Sequence, residues 1–218
     1  MADDTSRQGV RYADADIVTW LNTLHAPLDP ALRQAFDAPH TLGLPAIQVG
    51  PSEGRLLGLL CRMVGARRIV EVGTLAGFSA IHLGRALPAD GHLWTVEFEP
   101  KHAQVARDNL TAAGLGDRVT VVEGAGQAVL PTLEAHGPFD VVFIDADKEG
   151  YGAYGRWAAR NLRPGGLLLA DNAYYFGNLL KPNNPGAAAV RQLHEEATAA
   201  FDTVCIPTPD GLLLGIKR

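Results

Sequence analysis

Acidic side chains that directly follow apolar runs are the groups best placed to do chemistry in this chain. Asp145 follows the run Phe139–Ile144, and Asp171 and Asn172 follow the run Leu167–Ala170. Ligands of open α/β sheets bind outside the carboxyl ends of the strands, so these side chains converge if both strands flank the first one. Their oxygens suit a hard cation such as Mg²⁺, Mn²⁺ or Ca²⁺. A single acid at a strand end more often caps a turn, but two such ends together favour a metal site.

Lys148 lies three residues after Asp145 and is a further candidate for chemistry. Most lysines are solvated surface residues. A lysine that is partly removed from water beside a divalent cation can instead lose its charge and accept a proton. We therefore treat Lys148 as a candidate general base, with Asp145 as the acid beside it in the catalytic site.

A glycine-containing stretch, VEVGTLAGFSA, lies between a β-branched apolar run and a run of helical spacing. Strand, glycine loop and helix form the nucleotide-binding half of a Rossmann-like sheet, because glycine lets the backbone approach a ligand closely. The dinucleotide fingerprint counted from Gly73 would need glycines at 75 and 78, where Leu75 and Phe78 stand instead. This argues against an NAD or nucleotide-sugar enzyme.

Two acids accompany this stretch. Glu71 lies on the strand itself, and Glu97 closes the next apolar run, HLWTVE, 20 residues after Gly77. An acid at the end of the second strand is where ribose hydroxyls are held. Together the two acids fit a ligand with a ribose, a positive charge and no pyrophosphate, such as S-adenosylmethionine. The alternative is a glycine turn flanked by two solvated acids.

The elements that must position these residues alternate between strand and helix after residue 68. The predicted strands are Ile69–Val72, His92–Glu97, Val119–Glu123, Phe139–Ile144 and Leu167–Ala170, with helices from about Ser79, Lys101, Ala128 and Tyr151. Helices between strands imply parallel pairing with right-handed crossovers. Two final runs, Phe201–Ile206 and Leu212–Ile216, are joined by PTPDG, which is too short for a crossover, so they form an antiparallel hairpin.

Helices are also predicted outside this alternation. They cover Ala15–Leu24, Pro30–Phe36, a segment from Pro51 or Ser52 to Gly65 with Ser52 as a possible cap, and Pro185 to about Ala200 with Asn184 as the N-cap. The stretch Ala38–Gly50 is typical of a loop. The whole pattern predicts an α/β fold: a Rossmann-like, mostly parallel sheet with helices on both faces and the C-terminal antiparallel hairpin.

Length and charge narrow the class of protein. The chain has 218 residues, a formal net charge of −5 and no run of lysine or arginine, which disfavours nucleic acid and anionic membranes as partners. No apolar run is long enough to span a membrane, and the polar start MADDTSRQG is not a signal peptide. We expect one cytoplasmic domain over 1–218. It has a helical and loop segment over 1–45, which contributes to the acceptor pocket or to the dimer, and a cofactor-binding core over 46–218.

The motifs VEVGTLAGFSA, VEFEP, FIDADK and ADN, in this order, resemble those of the metal-dependent O-methyltransferases. That family includes the catechol and caffeoyl-CoA O-methyltransferases and their small bacterial relatives, and the resemblance covers about residues 45–218. It implies a class I S-adenosylmethionine-dependent enzyme with seven strands that forms a homodimer. By the same resemblance the cofactor contacts are Val49, Glu71, Gly73, Thr74, Ser79, Glu97, Gly126 in the turn 124–127, and Asp147. The metal ligands are Asp145, Asp171 and Asn172, and the general base is Lys148.

The chemistry implied by the resemblance is methyl transfer to an aromatic hydroxyl. A free phenol has a pKa near 10, and coordination of a vicinal diol to a metal lowers it. The acceptor is expected to be a small catechol-type diol, because the loop AYYFGN after Asp171 is apolar and carries no cationic cluster. The alternatives are a caffeoyl-CoA-like thioester acceptor and a non-enzymatic protein that binds an adenosine ligand on the same fold. In the first case the N-terminal segment, with Arg7, Arg11 and Arg33, would contact the acceptor.

Overall fold

The computed structural model describes residues 14–218 and contains eight α-helices and seven strands within that range. The helices are α1 Ala15–His25, α2 Pro30–Leu42, α3 Pro51–Met63, α4 Phe78–Ala86, α5 Pro100–Ala112, α6 Gly126–Leu133, α7 Tyr151–Asn161 and α8 Pro185–Ala200. The strands are β1 Arg68–Val72, β2 His92–Glu97, β3 Val119–Glu123, β4 Phe139–Ile144, β5 Leu162–Ala170, β6 Phe201–Ile206 and β7 Leu212–Lys217.

The strands form one seven-stranded sheet in the order β3-β2-β1-β4-β5-β7-β6. β1 to β5 pair in parallel, whereas β7 pairs antiparallel with both β5 and β6. This confirms the predicted mostly parallel sheet with its C-terminal hairpin. The assumption that both metal-site strands flank β1 was wrong, because β1 lies between β2 and β4 and β5 is one strand further out.

Alternate residues of the central strands face two separate apolar cores. In β1, Val70 and Val72 face the core that α6, α7 and α8 cover, whereas Ile69 faces the core that α2, α3, α4 and α5 cover. Neighbouring β4 follows the same alternation. A parallel sheet must be buried on both faces, and the β-branched residues of these strands meet that need. The helices therefore cover both faces, as predicted.

Several boundaries differ from those predicted. α2 continues through Pro39 to Leu42, whereas a helix ending at Phe36 and a loop from Ala38 were expected. Ala38 packs with Leu44 and Ala76, and this contact supports the extra turn despite the proline. Gly43 then ends the helix in the left-handed region, with φ 67°.

The predicted cap of α3 was also wrong. Gly50 is the N-cap and Pro51 the first helical residue, and the Gly50 N–H donates to Glu53 Oε2 at 2.7 Å. Ser52 instead bonds through its side chain to Asn22. β5 begins five residues earlier than predicted, at Leu162, where Leu162 pairs with Phe139 before the register shifts. The N-cap Asn184 was placed correctly, since its side chain accepts from Ala187 N at 3.0 Å.

Candidate active site

A cavity of about 1060 Å³ opens at the carboxyl edge of the parallel strands. Residues that follow each of β1 to β5 line it, as the switch-point rule for open α/β sheets predicts. β3 and β5 are four strand spacings apart in the sheet, so the cavity runs roughly 19 Å along this edge. It is long enough for two ligands placed side by side.

The glycine loop after β1 forms the middle of the cavity wall. Gly73 has φ 96°, and a Cβ there would lie 1.9 Å from the backbone oxygen of Asp145. Only glycine therefore allows β1 and β4 to end so close together. Leu75 also adopts a left-handed conformation, with φ 51°, which a non-glycine residue rarely does.

Glu97 at the end of β2 holds this loop in place. Its Oε2 accepts hydrogen bonds from Thr74 N at 3.1 Å and Leu75 N at 2.8 Å, while Oε1 accepts from Glu99 N at 3.0 Å. Glu97 is 7% exposed and lines the cavity. Each carboxylate oxygen has two lone pairs, so Oε2 is fully used and Oε1 keeps one acceptor position for a ligand hydroxyl group.

Glu71 lies behind the wall and does not line the cavity. Its side chain is fully buried and Oε2 accepts from Thr95 Oγ1 at 2.5 Å, whereas Oε1 has no hydrogen-bond partner among residues 14–218. Burial raises the pKa of Glu71 to about 8, against the opposing effect of the Ser79 and Thr95 hydroxyl groups. The structure therefore places this acid behind Ser79, which does line the cavity, and the cofactor contact of Glu71 stays a prediction.

The turn after β3 closes the end of the cavity that is farthest from β5. Gly126 lines it and packs against Tyr154, whose ring atoms would lie 2.8 Å from a Cβ at that position. The Tyr154 hydroxyl donates to Asp147 Oδ1 at 2.5 Å, and both residues line the cavity. Burial and the Asp147 carboxylate raise the pKa of Tyr154, so this hydroxyl remains a donor.

The predicted metal ligands lie at the ends of β4 and β5. Asp145 and Asn172 line the cavity, whereas Asp171 is 8% exposed and not part of its lining. The Asp171 N–H donates to Ile144 O at 3.0 Å, which fixes the two strand ends against each other. Burial and the nearby Asp145 carboxylate raise the pKa of Asp171 to about 7.

This donor set fits a hard divalent cation. Two carboxylates lie close enough for Asp145 to disfavour the charge on Asp171, and an amide oxygen donor accompanies them on Asn172. A cation between them would remove that repulsion, and all-oxygen sets are typical of Mg²⁺ and its relatives. The described residues contain no cluster of three or more His, Cys, Asp and Glu, which a zinc or iron site would require.

Lys148 lies at the end of the cavity where β4 and β5 end. Its Nζ donates to Asp145 Oδ1 at 3.1 Å, to Ala146 O at 3.0 Å and to Tyr151 Oη at 2.7 Å. The Tyr151 hydroxyl in turn donates to Asp171 O at 3.1 Å. These bonds hold the amine beside the predicted metal ligands.

Most of the predicted site residues therefore come together. The cavity lining includes Val49, Gly73, Thr74, Ser79, Glu97, Gly126, Asp145, Asp147, Lys148 and Asn172. Among the residues from 14 onward, those before Ala46 do not line this cavity, and the acceptor-pocket or dimer role of 1–45 stays a prediction. Arg33 does not line the cavity, and Arg7 and Arg11 lie outside the described residues.

Two tyrosines of α7 contribute to the site and were not predicted. Tyr151 and Tyr154 follow Lys148 at intervals of three residues, the spacing that places side chains on one face of a helix. That spacing was the available signal, and both residues were predicted only as parts of a helix. Thr95 was missed as well, because an alternating strand residue gives no hint of its buried acid partner.

Comparison with known proteins assigns the chain to a family. A family model described as O-methyltransferase matches residues 25–218. The chain belongs to the O-methyltransferase family.

Individual relatives agree with this assignment. A catechol O-methyltransferase from Mycobacterium tuberculosis is 45% identical over 212 residues, 93% of this chain and 96% of the relative. A catechol O-methyltransferase from Niastella koreensis is 42% identical over 201 residues, 87% of this chain and 91% of the relative. The crystal structure of an O-methyltransferase from Bacillus cereus in complex with SAH has a TM-score of 0.89 at 33% identity and covers 93% of this chain and 97% of that one.

These similarities confirm the resemblance noted from the motifs. They also confirm the predicted enzyme class, an S-adenosylmethionine-dependent O-methyltransferase, and the Rossmann-like fold. No helix within the described residues is long and apolar enough to cross a membrane.

Proposed function

We propose that this O-methyltransferase transfers the methyl group of S-adenosylmethionine to one hydroxyl of a free catechol-type diol, with a divalent cation. The observation that carries the proposal is the order of groups along one cavity. Glu97 and the glycine loop line the β2–β1 part of the cavity, and Asp145, Asn172 and Lys148 line its β4–β5 part. The first set suits an adenosine ligand and the second a chelated diol.

The cofactor half is supported by the chain and by its relatives. Glu97 Oε1 has one free acceptor position for a ribose hydroxyl, and Gly126 with Ser79 and Asp147 completes the wall around it. The Bacillus cereus relative holds SAH, the demethylated form of S-adenosylmethionine. The charged sulfonium and ammonium groups of the cofactor fit a wall that carries Glu97, Asp145 and Asp147.

Asp145, Asp171 and Asn172 would hold the cation, for which Mg²⁺ is the first candidate. A bound divalent cation lowers the pKa of a coordinated hydroxyl and so makes a phenolate available at neutral pH. Held by three protein oxygens, the cation would keep open positions for a pair of neighbouring hydroxyls. The β4 and β5 ends fix these oxygens through the Asp171–Ile144 backbone bond.

Lys148 is the residue that would take the proton. The reaction breaks the sulfur–methyl bond, forms an oxygen–methyl bond and releases the hydroxyl proton to a base. Once neutral, the Lys148 amine keeps an acceptor lone pair, and its bond to Asp145 holds it at the diol end of the cavity. The remaining contribution of the protein is alignment of the two reactants, which supplies up to about 7–11 kcal/mol in favourable cases.

A free diol is favoured over a CoA thioester as the acceptor. Among the described residues that line the cavity, Lys148 is the only lysine or arginine, and its charge is used by Asp145. The phosphates of CoA would need arginine or lysine partners at the entrance. Two relatives with more than 40% identity are named catechol O-methyltransferases, which agrees with this choice.

The test is methyl transfer from labelled S-adenosylmethionine to catechol, phenol and a CoA-linked diol. We expect catechol to be methylated far better than phenol, because a lone hydroxyl cannot chelate. Excess chelator should abolish turnover, and added Mg²⁺ or Mn²⁺ should restore it. Full activity in chelator would remove the cation from the mechanism, and a preference for the CoA ester would overturn the choice of acceptor.

A further inference from the structure

A second, smaller cavity lies away from the candidate active site. It has a volume of about 200 Å³ and forms where the end of α1 and the start of α2 meet α3 and α4. Arg62 lies in the last turn of α3, before β1, and Arg85 lies in the last turn of α4, before β2. The cavity therefore lies toward the amino edge of the strands, and we call it the amino-edge cavity. It shares no lining residue with the active-site cavity.

Three arginines line the amino-edge cavity. Arg55 and Arg62 lie two turns apart on one face of α3, and Arg85 comes from α4. The Arg85 guanidinium donates to both oxygens of the Asp29 carboxylate, at 2.5 and 3.3 Å. Arg55 and Arg62 are exposed, and their side chains form no hydrogen bond or ion pair with any residue from 14 to 218. Two guanidinium groups are therefore available to a ligand.

The charge of this lining is positive, although the chain as a whole is negative. Asp29 is the one acidic residue among the described lining residues, against three arginines. Its carboxylate balances Arg85, which leaves the charges of Arg55 and Arg62 uncompensated. The whole chain has a formal net charge of −5, so this local excess of positive charge is not a consequence of composition.

A buried histidine of α4 also lines the amino-edge cavity. His82 is 8% exposed, and its Nε2 has no hydrogen-bond partner among residues 14–218. Buried polar side chains are nearly always hydrogen-bonded, so an unpaired one is a mark of a site that takes a water or a ligand. Burial, Arg85 and Arg55 lower the pKa of His82 to about 4, which places both guanidinium groups close to the ring. The ring is therefore neutral at pH 7 and has one N–H donor.

We propose that the amino-edge cavity binds a phosphate-type oxyanion, either inorganic phosphate or the phosphate group of a small monoester. The planar guanidinium groups of Arg55 and Arg62 present paired donors that match phosphate oxygens. The cavity volume of about 200 Å³ is far more than one water molecule needs, so a tetrahedral oxyanion fits. The inference does not rest on the proposed function, because none of these residues lines the active-site cavity.

Calorimetry on the full chain tests the proposal, with inorganic phosphate and glycerol 3-phosphate as separate titrants. It is performed without S-adenosylmethionine or a divalent cation, and at low ionic strength because salt screens exposed charges. We expect saturable binding of one phosphate per chain and none of chloride at equal ionic strength. Tighter binding of the monoester would assign the cavity to an esterified phosphate, and tighter binding of inorganic phosphate to the free anion.

Variants locate the binding. Arg55→Gln and Arg62→Gln should each weaken phosphate binding by about tenfold or more, the scale of a charge-assisted hydrogen bond. Arg33→Gln is the matched control and should leave the affinity unchanged, because Arg33 is exposed on neighbouring α2 but does not line the cavity. Asp29→Asn keeps an oxygen to cap α2 and removes the charge that balances Arg85, so it should strengthen binding about threefold or more.

The His82 ring gives a readout that is specific to this cavity. A bound anion offsets the effect of the guanidinium groups, so the pKa of His82 measured by NMR should rise by about one unit when phosphate is added. Histidine signals from outside the cavity should not shift. Absence of saturable binding, or binding that leaves the His82 signal unchanged, would overturn the proposal. An Arg33→Gln loss as large as that of Arg62→Gln, or weaker binding by Asp29→Asn, would overturn it as well.

Discussion

Glu97 both lines the cavity and holds the glycine loop, whereas the sequence predicts only its place beside the ligand. The run HLWTVE and its distance from Gly77 predict an acid at the end of β2, and the structure places Glu97 on the cavity wall. The same carboxylate also accepts backbone hydrogen bonds from Thr74 and Leu75. These bonds depend on the left-handed turn at Leu75, and no sequence pattern would have predicted that conformation.

Replacement of Glu97 should therefore affect both the loop and the cofactor. We expect Glu97→Ala to weaken binding of S-adenosylmethionine by about 1–3 kcal/mol. This is the usual cost when a hydrogen bond to a charged carboxylate is lost. Calorimetry with S-adenosylmethionine measures this. Glu123→Ala is a suitable control, since Glu123 ends the neighbouring strand and pairs with Arg107 away from the cavity. Unchanged affinity in folded Glu97→Ala would remove Glu97 from the site.

Lys148 gives the sharpest test of the proposed proton transfer. Lys148→Ala should lower kcat by roughly 10²–10⁴, the usual range for a positioned acid or base, and leave cofactor affinity within about twofold. Lys181→Ala, an exposed lysine in the loop before α8, should leave kcat unchanged. The measurement is kcat for catechol over a range of pH. A loss of only a few-fold would reduce Lys148 to a residue that orders Asp145.

At the scale of elements, the glycine loop shows what local sequence can and cannot predict. Strand, glycine loop and helix were recognised from VEVGTLAGFSA, and β1 and α4 agree within a residue of their predicted starts. The reason for Gly73 was not accessible, because it depends on Asp145, which is 72 positions later in the chain and adjacent only in the folded sheet. The same limitation applies to α2, whose last turn depends on contacts of Ala38 with Ala76.

Two glycines that both have positive φ separate backbone strain from steric exclusion. Gly65 has φ 62° with nothing within 4 Å of an added Cβ, whereas Gly73 has φ 96° and the Asp145 oxygen at 1.9 Å. We expect Gly65→Ala to cost about 1 kcal/mol in unfolding free energy, the usual penalty of a left-handed residue. Gly73→Ala should cost several times as much and should move Asp145, so that turnover falls too.

Denaturant unfolding and kcat/KM for catechol measure these two effects. The Gly65→Ala variant is the control for backbone strain alone, because Gly65 ends the α3 region away from the cavity. Equal losses of stability in the two variants would contradict the close approach of β1 and β4 described above.

At the scale of the whole molecule, two buried titratable groups change the unfolding free energy with pH in opposite directions. Burial raises the pKa of Glu71 from 4.5 to about 8, and burial lowers the pKa of His82 from 6.5 to about 4, with Arg85 and Arg55 adding to the effect. Both side chains are over 90% buried. Neither shift was predictable from the sequence, since each depends on how the helices and strands pack around the side chain.

The sign of each contribution follows from proton binding. Between pH 4.5 and 8 the folded protein keeps a proton on Glu71 that the unfolded chain has lost, so the unfolding free energy falls as pH rises. Between pH 4 and 6.5 the unfolded chain protonates His82 while the folded protein does not, so the unfolding free energy rises with pH. The two slopes offset each other up to about pH 6.5, and above it the Glu71 contribution alone remains.

Glu71→Gln isolates this contribution. The variant keeps the size of the side chain but cannot ionise, so between pH 6.5 and 8 we expect it to gain stability relative to the parent by up to roughly 1.4 kcal/mol per pH unit. Above pH 8 the difference should level off, because both states of the parent are then ionised. Urea unfolding across this range, compared with Glu123→Gln at an exposed strand end, provides the measurement. A difference between parent and Glu71→Gln that does not change with pH would mean that Glu71 is already ionised in the folded protein. Its second carboxylate oxygen would then be hydrated or bonded to a neighbour.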